Sequence, residues 1–318
     1  MYLFSVPVAL QRTEEIQAAT AAKSKIESIG PDIVVGFHAL EFPSFLSDEN
    51  IKKQLSNKRT VPIFEVHAPF EGEESILGNC KNLLKTLDVA KNFMNSTHLH
   101  VNYHVGVSFS NLDEIRNFSK NRREVYEKII GNLGMLADRA RDYNLQITLE
   151  NIPSFAYKKD DFGRDSPMFF VFSTFDRTLQ LVKEVGKNVR PLLDTCHWMI
   201  DQTLESKIKG TKYEKIMFEV LGIDDWKDFE ATKEPWEKTV KRAYAYHLSN
   251  TTGPGINLAP ELAKKWGLHG TLYGLLQKEH FKAVLDEMSK NKKHATIEVQ
   301  QNPKTFAEPI EFARWIFG

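Results

Sequence analysis

The chain alternates between short apolar, β-branched runs and longer segments whose apolar residues recur about every 3.6 positions. Eight runs stand out: YLFSVPV (2–8), DIVVGFHALEF (32–42), VPIFEVH (61–67), THLHVNYH (97–104), LQITLE (145–150), VRPLLD (189–194), AYAYHLS (243–249) and ATIEVQ (295–300). Runs this short and this apolar suit strands covered on both faces. Between Asn121 and Tyr143, the residues Val125, Ile129, Leu133, Leu136 and Ala140 fall on one helical stripe. Phe175, Leu179 and Val182 form another, with Gly186 placed to stop the helix. HFKAVLDEMSK and the closing TFAEPIEFARWIFG also read as helices, Pro309 fitting only the first turn of its helix. Strands alternating with helices predict a parallel sheet. Eight such units in 318 residues predict an α/β protein with one domain over 1–318, a closed (β/α)8 TIM barrel. An open doubly wound sheet competes, but no GxGxxG or phosphate-loop motif follows any run.

Two connections exceed simple turns. Residues 151–173 carry Phe155, Tyr157, Phe162, Phe169, Phe170 and Phe172, and residues 199–240 carry the Lys-rich SKIKGTKYEK with Trp226 and Trp236. They follow strands five and six, so both are expected over the active face of the barrel, as lids or as packing or subunit contacts.

Charge and cysteine content change this picture little. The 42 Lys+Arg balance 42 Asp+Glu, which gives no general attraction to nucleic acid or membrane. The two cysteines, Cys80 and Cys196, show no pairing pattern and suit a reducing compartment. No apolar run approaches the roughly 20 residues of a membrane span. The start, MYLFSVPVAL, lacks a basic region and reads as a first strand, not a signal peptide. A cytoplasmic protein is the expectation.

The candidate chemistry sits where the runs end. Run three ends in His67, run four in His104, run five in Glu150, and run six in Asp194 with His197 three residues on; run seven holds His247 and run eight Glu298. Taken singly, each has an ordinary structural explanation, such as Asp194 capping the next helix. In a barrel, however, the carboxyl ends of the strands converge on one pocket. Six consecutive runs interrupted there by residues costly to bury point to a metal site. Histidines and carboxylates without a required thiolate fit Zn²⁺, Mn²⁺ or Co²⁺, and Cys196 is read as core. His38 and Glu41 in run two can reach the pocket but match no motif.

In order, VHAPF, HVG (104–106), LENIP, LLDTCHW, YHLSN and TIEVQ resemble the motifs of the xylose-isomerase-like barrel superfamily. That group contains sugar-phosphate isomerases and epimerases and the endonuclease IV-type repair nucleases. The resemblance implies a four-ligand metal site at Glu150, Asp194, His247 and Glu298. It also implies proton transfer by Glu150 and Glu298 from opposite faces of a substrate, and contact of His197 with a substrate oxygen. In the nuclease branch, His67 and His104 with a bridging Glu150 would hold an additional metal, and His197 would join a third. That third site needs an Asp-x-His pair; here GLHG supplies His269 but has Gly267 in the Asp position. The chain also has HVG where the nucleases usually have HPG.

The resemblance therefore implies a divalent-metal-dependent isomerase or epimerase (Mn²⁺, Zn²⁺ or Co²⁺) acting on a sugar, sugar phosphate or similar hydroxy-carbonyl compound. The alternative is a zinc-dependent nuclease cleaving at abasic DNA, the one reading with a nucleic-acid partner. Another metal-assisted hydrolase or lyase is a third. Lys158, Lys159 and Arg164 offer charge for a substrate phosphate, although a solvated loop surface explains them better. Substrate, metal count and oligomeric state, a homo-oligomer included, stay open at this level.

Overall fold

The structure is a computed structural model and describes residues 1–10, 12–40, 62–68, 80–91, 98–105, 107–109, 112–159, 165–186, 188–229, 234–254 and 269–318. Eight strands form its centre: β1 (Tyr2–Ala9), β2 (Ile33–Leu40), β3 (Ile63–His67), β4 (His100–His104), then β6 (Gln146–Glu150), β9 (Val189–Asp194), β10 (Ala245–Leu248) and β13 (His294–Ile297). They close into a barrel in the order β1-β13-β10-β9-β6-β4-β3-β2, each neighbour parallel. All eight predicted runs are thus barrel strands; Glu41, at the end of run two, lies outside the described residues.

Closure depends on side chains alternating between barrel axis and helix layer. Outward residues such as Val101, Tyr103, Ile147, Leu149, Leu193, Tyr246 and Ile297 join Ile129, Leu133, Leu136, Leu181, Val284 and Phe312 of the helices in one core. The positions between them, at the barrel axis, are largely polar. Gly36 fits where β2 meets β3 closely: a Cβ there would lie 2.5 Å from the Pro62 carbonyl oxygen and 2.6 Å from the Phe64 ring. The β2–β3 register shifts immediately beyond, between Phe37 and His38.

The helices are α1 (Thr13–Glu27), α2 (Cys80–Ala90), α3 (Leu112–Asp142), α4 (Phe175–Val185), α5 (Thr195–Ile208), α6 (Lys212–Leu221), α7 (Trp236–Arg242), α8 (Lys278–Asn291) and α9 (Ala307–Phe317). α4 begins where the Thr174 side chain accepts the Arg177 N–H, and ends at Gly186 with φ 69°. α3 is longer than its apolar stripe predicts because a further helical stretch precedes a kink at Asn121 (φ −115°, ψ 17°). No described helix is long and apolar enough to cross a membrane.

The two long connections carry structure of their own. Strands β7 (Phe155–Lys159) and β8 (Asp165–Val171) form a hairpin, and β5 (Val107–Phe109) adds to β8 to make a three-stranded antiparallel sheet. Its Phe155, Tyr157, Phe169 and Val171 pack on Leu204, Ile208, Tyr213, Met217, Val220, Trp226 and Phe229 in a second core. Phe155, Tyr157 and Phe169 therefore cover the helical segment 204–229, Phe170 packs with Ile152 and Ala156 instead, and Phe162 lies outside the described residues. Trp236 instead joins the main core, its indole N–H donating to the His280 carbonyl at 3.0 Å. Arg122 on α3 fastens this layer by donating to the carbonyls of Leu221 (2.7 Å), Val220 (2.7 Å) and Glu219 (3.0 Å) at the C-terminus of α6. The remaining short pair, β11 (Asn250–Thr251) and β12 (His269–Thr271), lies beyond the end of β10.

Candidate metal centre

Parallel pairing brings the strand-end residues together. His104 is in register with Glu150, His247 with Asp194, and His247 with Thr296, two residues before Glu298. Glu150, Asp194, His247 and Glu298 each offer one donor atom, all within 4.8 Å of one another. His247 Nδ1 lies 2.7 Å from Glu298 Oε2, 3.2 Å from Glu150 Oε1 and 4.0 Å from Asp194 Oδ2. Despite these approaches, His247 Nδ1 and Asp194 Oδ2 are fully buried without an aligned hydrogen bond. Carboxylates and an imidazole gathered this closely, with Asp194 Oδ2 left without a hydrogen bond, suit a cation between them.

Asp194 also caps α5, as its isolated position suggested: Oδ1 accepts the His197 N–H at 2.7 Å. Capping occupies one carboxylate oxygen and leaves the other to the cluster. Asn151 holds this turn against β6, its side chain accepting the Asp194 N–H (2.8 Å) and donating to the Asp194 carbonyl (3.3 Å).

A second group shares Glu150. His67, His104 and Glu150 again place donor atoms within 4.8 Å. Glu150 Oε2 is 2.9 Å from His104 Nε2 and 3.6 Å from His67 Nε2, and the two imidazole nitrogens are 3.2 Å apart. His67 Nδ1 donates to the Ala68 carbonyl at 2.8 Å, which turns Nε2 toward the cluster; burial opposes a charged ring there, but Glu150 raises its pKa. His197 stands at the edge of both groups, 3.5 Å from Glu150 Oε1, with its Nδ1 donating to the Asn151 carbonyl at 2.8 Å. Seven of the eight residues expected at the site thus converge. The eighth, His269, has its side chain outside the described residues, as do Lys158, Lys159 and Arg164.

Charge makes the cluster unusual. Among the described residues no lysine or arginine is buried, so the cationic groups facing these carboxylates are imidazoles, beside the Asn102 amide that donates to Glu150 Oε2 at 2.5 Å. Burial works against ionised Glu150, but His247 and His104 outweigh it and hold the carboxyl well below the usual range. Burial likewise opposes ionised Glu298, whose pKa is nevertheless drawn down to about 2 by His247. Asp194 goes the other way: burial first, then the neighbouring Glu150 and Glu298, push it well above the carboxylate range. His247 would lose its proton through burial, yet Glu150, Glu298 and Glu65 raise it well above an ordinary imidazole.

One layer deeper is a polar cluster that strand-end reasoning missed. Glu65 is wholly buried, with Oε1 accepting from His247 Nε2 at 2.8 Å and Oε2 accepting from the Thr296 hydroxyl at 2.7 Å. His38, noted in run two without a role, and His100 lie 3.6 Å and 3.5 Å from its oxygens. Burial, despite Glu65, lowers the His38 pKa to about 4. The signal was the period of two: Glu65 precedes His67, His100 precedes His104 and His294 precedes Glu298 by even steps on the same face. Cys196 is fully buried, as read from its position.

A closed parallel barrel with histidines and carboxylates gathered at the carboxyl ends of its strands defines a (β/α)8 barrel with a candidate metal centre. The chain belongs to the xylose isomerase-like TIM barrel family, whose sequence pattern matches residues 34–314. No curated protein matches by sequence. Solved structures agree over nearly the whole chain at low identity. The TTHB071 protein from Thermus thermophilus, soaked with ZnCl2, is 15% identical, with a TM-score of 0.52 and coverage of 98% of this chain and 97% of that one. The 3-keto-D-glucoside 4-epimerase YcjR from E. coli is 9% identical, with a TM-score of 0.56 and 99% coverage of both chains. An L-ribulose 3-epimerase is 12% identical, with a TM-score of 0.55, covering 99% of this chain and 96% of that one. At these identities the likeness concerns the fold.

Proposed function

We propose that the protein is a divalent-metal-dependent isomerase or epimerase acting on a sugar, sugar phosphate or similar hydroxy-carbonyl compound. The observation carrying this reading is the four-donor set Glu150, Asp194, His247 and Glu298, gathered within 4.8 Å at the strand ends, with Asp194 Oδ2 buried and without a hydrogen bond. These residues would hold one Mn²⁺, Zn²⁺ or Co²⁺. When bound, such an ion polarises a substrate carbonyl and acidifies the adjacent C–H. The chain's own part is proton transfer: Glu298, whose side chain is 26% exposed, is open to a substrate carbon, and buried Glu150 serves as its partner. His197, with Nδ1 committed to the Asn151 carbonyl, is oriented to present Nε2 to a substrate oxygen. The named epimerases among the similar structures support a small sugar as substrate.

The test is exchange of a carbon-bound substrate proton with solvent deuterium, followed by NMR across a panel of ketoses, aldoses and their phosphates. The wild-type protein loaded with Mn²⁺ is expected to exchange one proton, and Glu298→Gln to lose exchange while retaining substrate binding. Wild-type exchange rates in that variant would refute the assignment of Glu298.

A second reading rests on His67 and His104 sharing Glu150, the arrangement suited to a further zinc ion and to phosphodiester hydrolysis at abasic DNA. Its signature is cleavage of an abasic duplex with steeply salt-dependent binding. The balanced charge of the chain favours the small-molecule reading.

A further inference from the structure

Below the strand-end cluster, the barrel axis holds Glu65, His100 and His294, each offering a donor atom within 4.8 Å of the others. All three are buried. The hydrogen-bond directions around them can be deduced. The Thr296 hydroxyl donates its single proton to Glu65 Oε2 at 2.7 Å. The 2.8 Å bond between Ser5 and Thr296 must therefore use the proton of Ser5. Ser5 then has no proton for His294, so the 2.9 Å contact is donated by His294 Nε2. His294 Nδ1 is left as a lone pair, buried and without a partner. His100 follows the same logic: Nδ1 faces the carbonyl of His98 at 3.3 Å and so carries the hydrogen. Its Nε2, also buried and without a hydrogen bond, lies 3.5 Å from Glu65 Oε2.

Two buried imidazole nitrogens, neither making an aligned hydrogen bond, thus share one dry space with a carboxylate. Such an arrangement is costly unless a cation occupies the middle. The neighbouring set His38, Glu65 and His247 is the weaker candidate, because His247 already turns Nδ1 toward the upper cluster.

We propose that Glu65, His100 and His294 form a second, interior divalent-cation site, distinct from the strand-end centre and built for a zinc-like ion. Two nitrogens and one oxygen suit Zn²⁺ or Co²⁺ better than Mg²⁺ or Ca²⁺. Glu65 joins the two levels, since its Oε1 holds His247 Nε2. An ion here fixes the carboxylate that orients a donor of the upper site, as outer partners do in metal centres.

The experiment loads chelator-stripped protein with Zn²⁺ and measures zinc per chain by elemental analysis after gel filtration. His100→Gln/His294→Gln is expected to lose one equivalent relative to wild type, and Asp194→Asn/Glu298→Gln to retain that equivalent. Equal zinc in the wild-type and His100→Gln/His294→Gln proteins overturns the proposal. Should the variants not fold, wild-type crystals grown with Zn²⁺ decide through anomalous difference maps at the zinc edge. A peak bounded by Glu65, His100 and His294 is expected. A peak only at Glu150, Asp194, His247 and Glu298 overturns the interior site and leaves the proposed function standing. Peaks at neither place overturn both.

Discussion

Asp201→Asn is expected to stabilise the protein increasingly as pH rises. Asp201 lies on α5, is 2% exposed, and accepts the Ser154 N–H at 2.7 Å. Burial pushes its carboxyl up from 3.8 to about 7, more than the hydrogen bond from Ser154 lowers it. The sign follows from proton counting. Below pH 3.8, folded and unfolded chains both hold the proton, and Asp201 adds no pH dependence. Above it, the unfolded chain ionises first, so each pH unit removes about 1.4 kcal/mol of folding stability. The loss stops near pH 7, where the folded carboxyl ionises too. Allowing for relaxation of the buried charge, the whole passage amounts to about 2–4 kcal/mol. Asparagine keeps the shape and an acceptor for Ser154 but never ionises. Urea unfolding of both metal-stripped proteins at pH 4, 6 and 8 reads the difference directly. The variant should match or slightly trail wild type at pH 4 and exceed it by about 2–4 kcal/mol at pH 8. A constant difference across that range would refute the reasoning that a buried, protonated carboxyl sits here.

Other perturbations test the framework. Gly36→Ala drives a methyl group into the Pro62 carbonyl and the Phe64 ring, and should lower stability by about 1–3 kcal/mol in thermal unfolding. Arg122→Met keeps the stem but removes three hydrogen bonds to the end of α6. A loss of about 1–2 kcal/mol is expected, discounted for a half-exposed guanidinium, with protease sensitivity rising first in 199–229. Asn151→Ala leaves the buried Asp194 N–H without its acceptor. It should cost about 1–3 kcal/mol by denaturant titration and weaken Zn²⁺ binding in a chelator competition.

Much of the architecture was legible before folding was considered. Eight apolar runs separated by helical stripes are local patterns, and all eight became barrel strands because a parallel strand is covered on both sides whatever its neighbours. His67, His104, Glu150, Asp194, His197, His247 and Glu298 were readable for a related reason: each interrupts or follows an apolar run, and barrel closure brings such ends to one place. The interior layer was not readable in this way. Glu65 and His100 lie within runs that look like ordinary strands and His294 immediately before one, and their meaning depends on which strands become neighbours. Ser5 and Thr296, 291 residues apart, bond only because β1 closes the barrel onto β13. The two long connections show the same division. Their aromatic content fitted a lid as well as packing, and only the tertiary structure put Phe155 and Phe169 of one in a common core with Tyr213 and Trp226 of the other. Periodicity is a property of single segments and survives in the sequence, whereas the pairing of segments and the direction of each buried proton arise from the closed barrel.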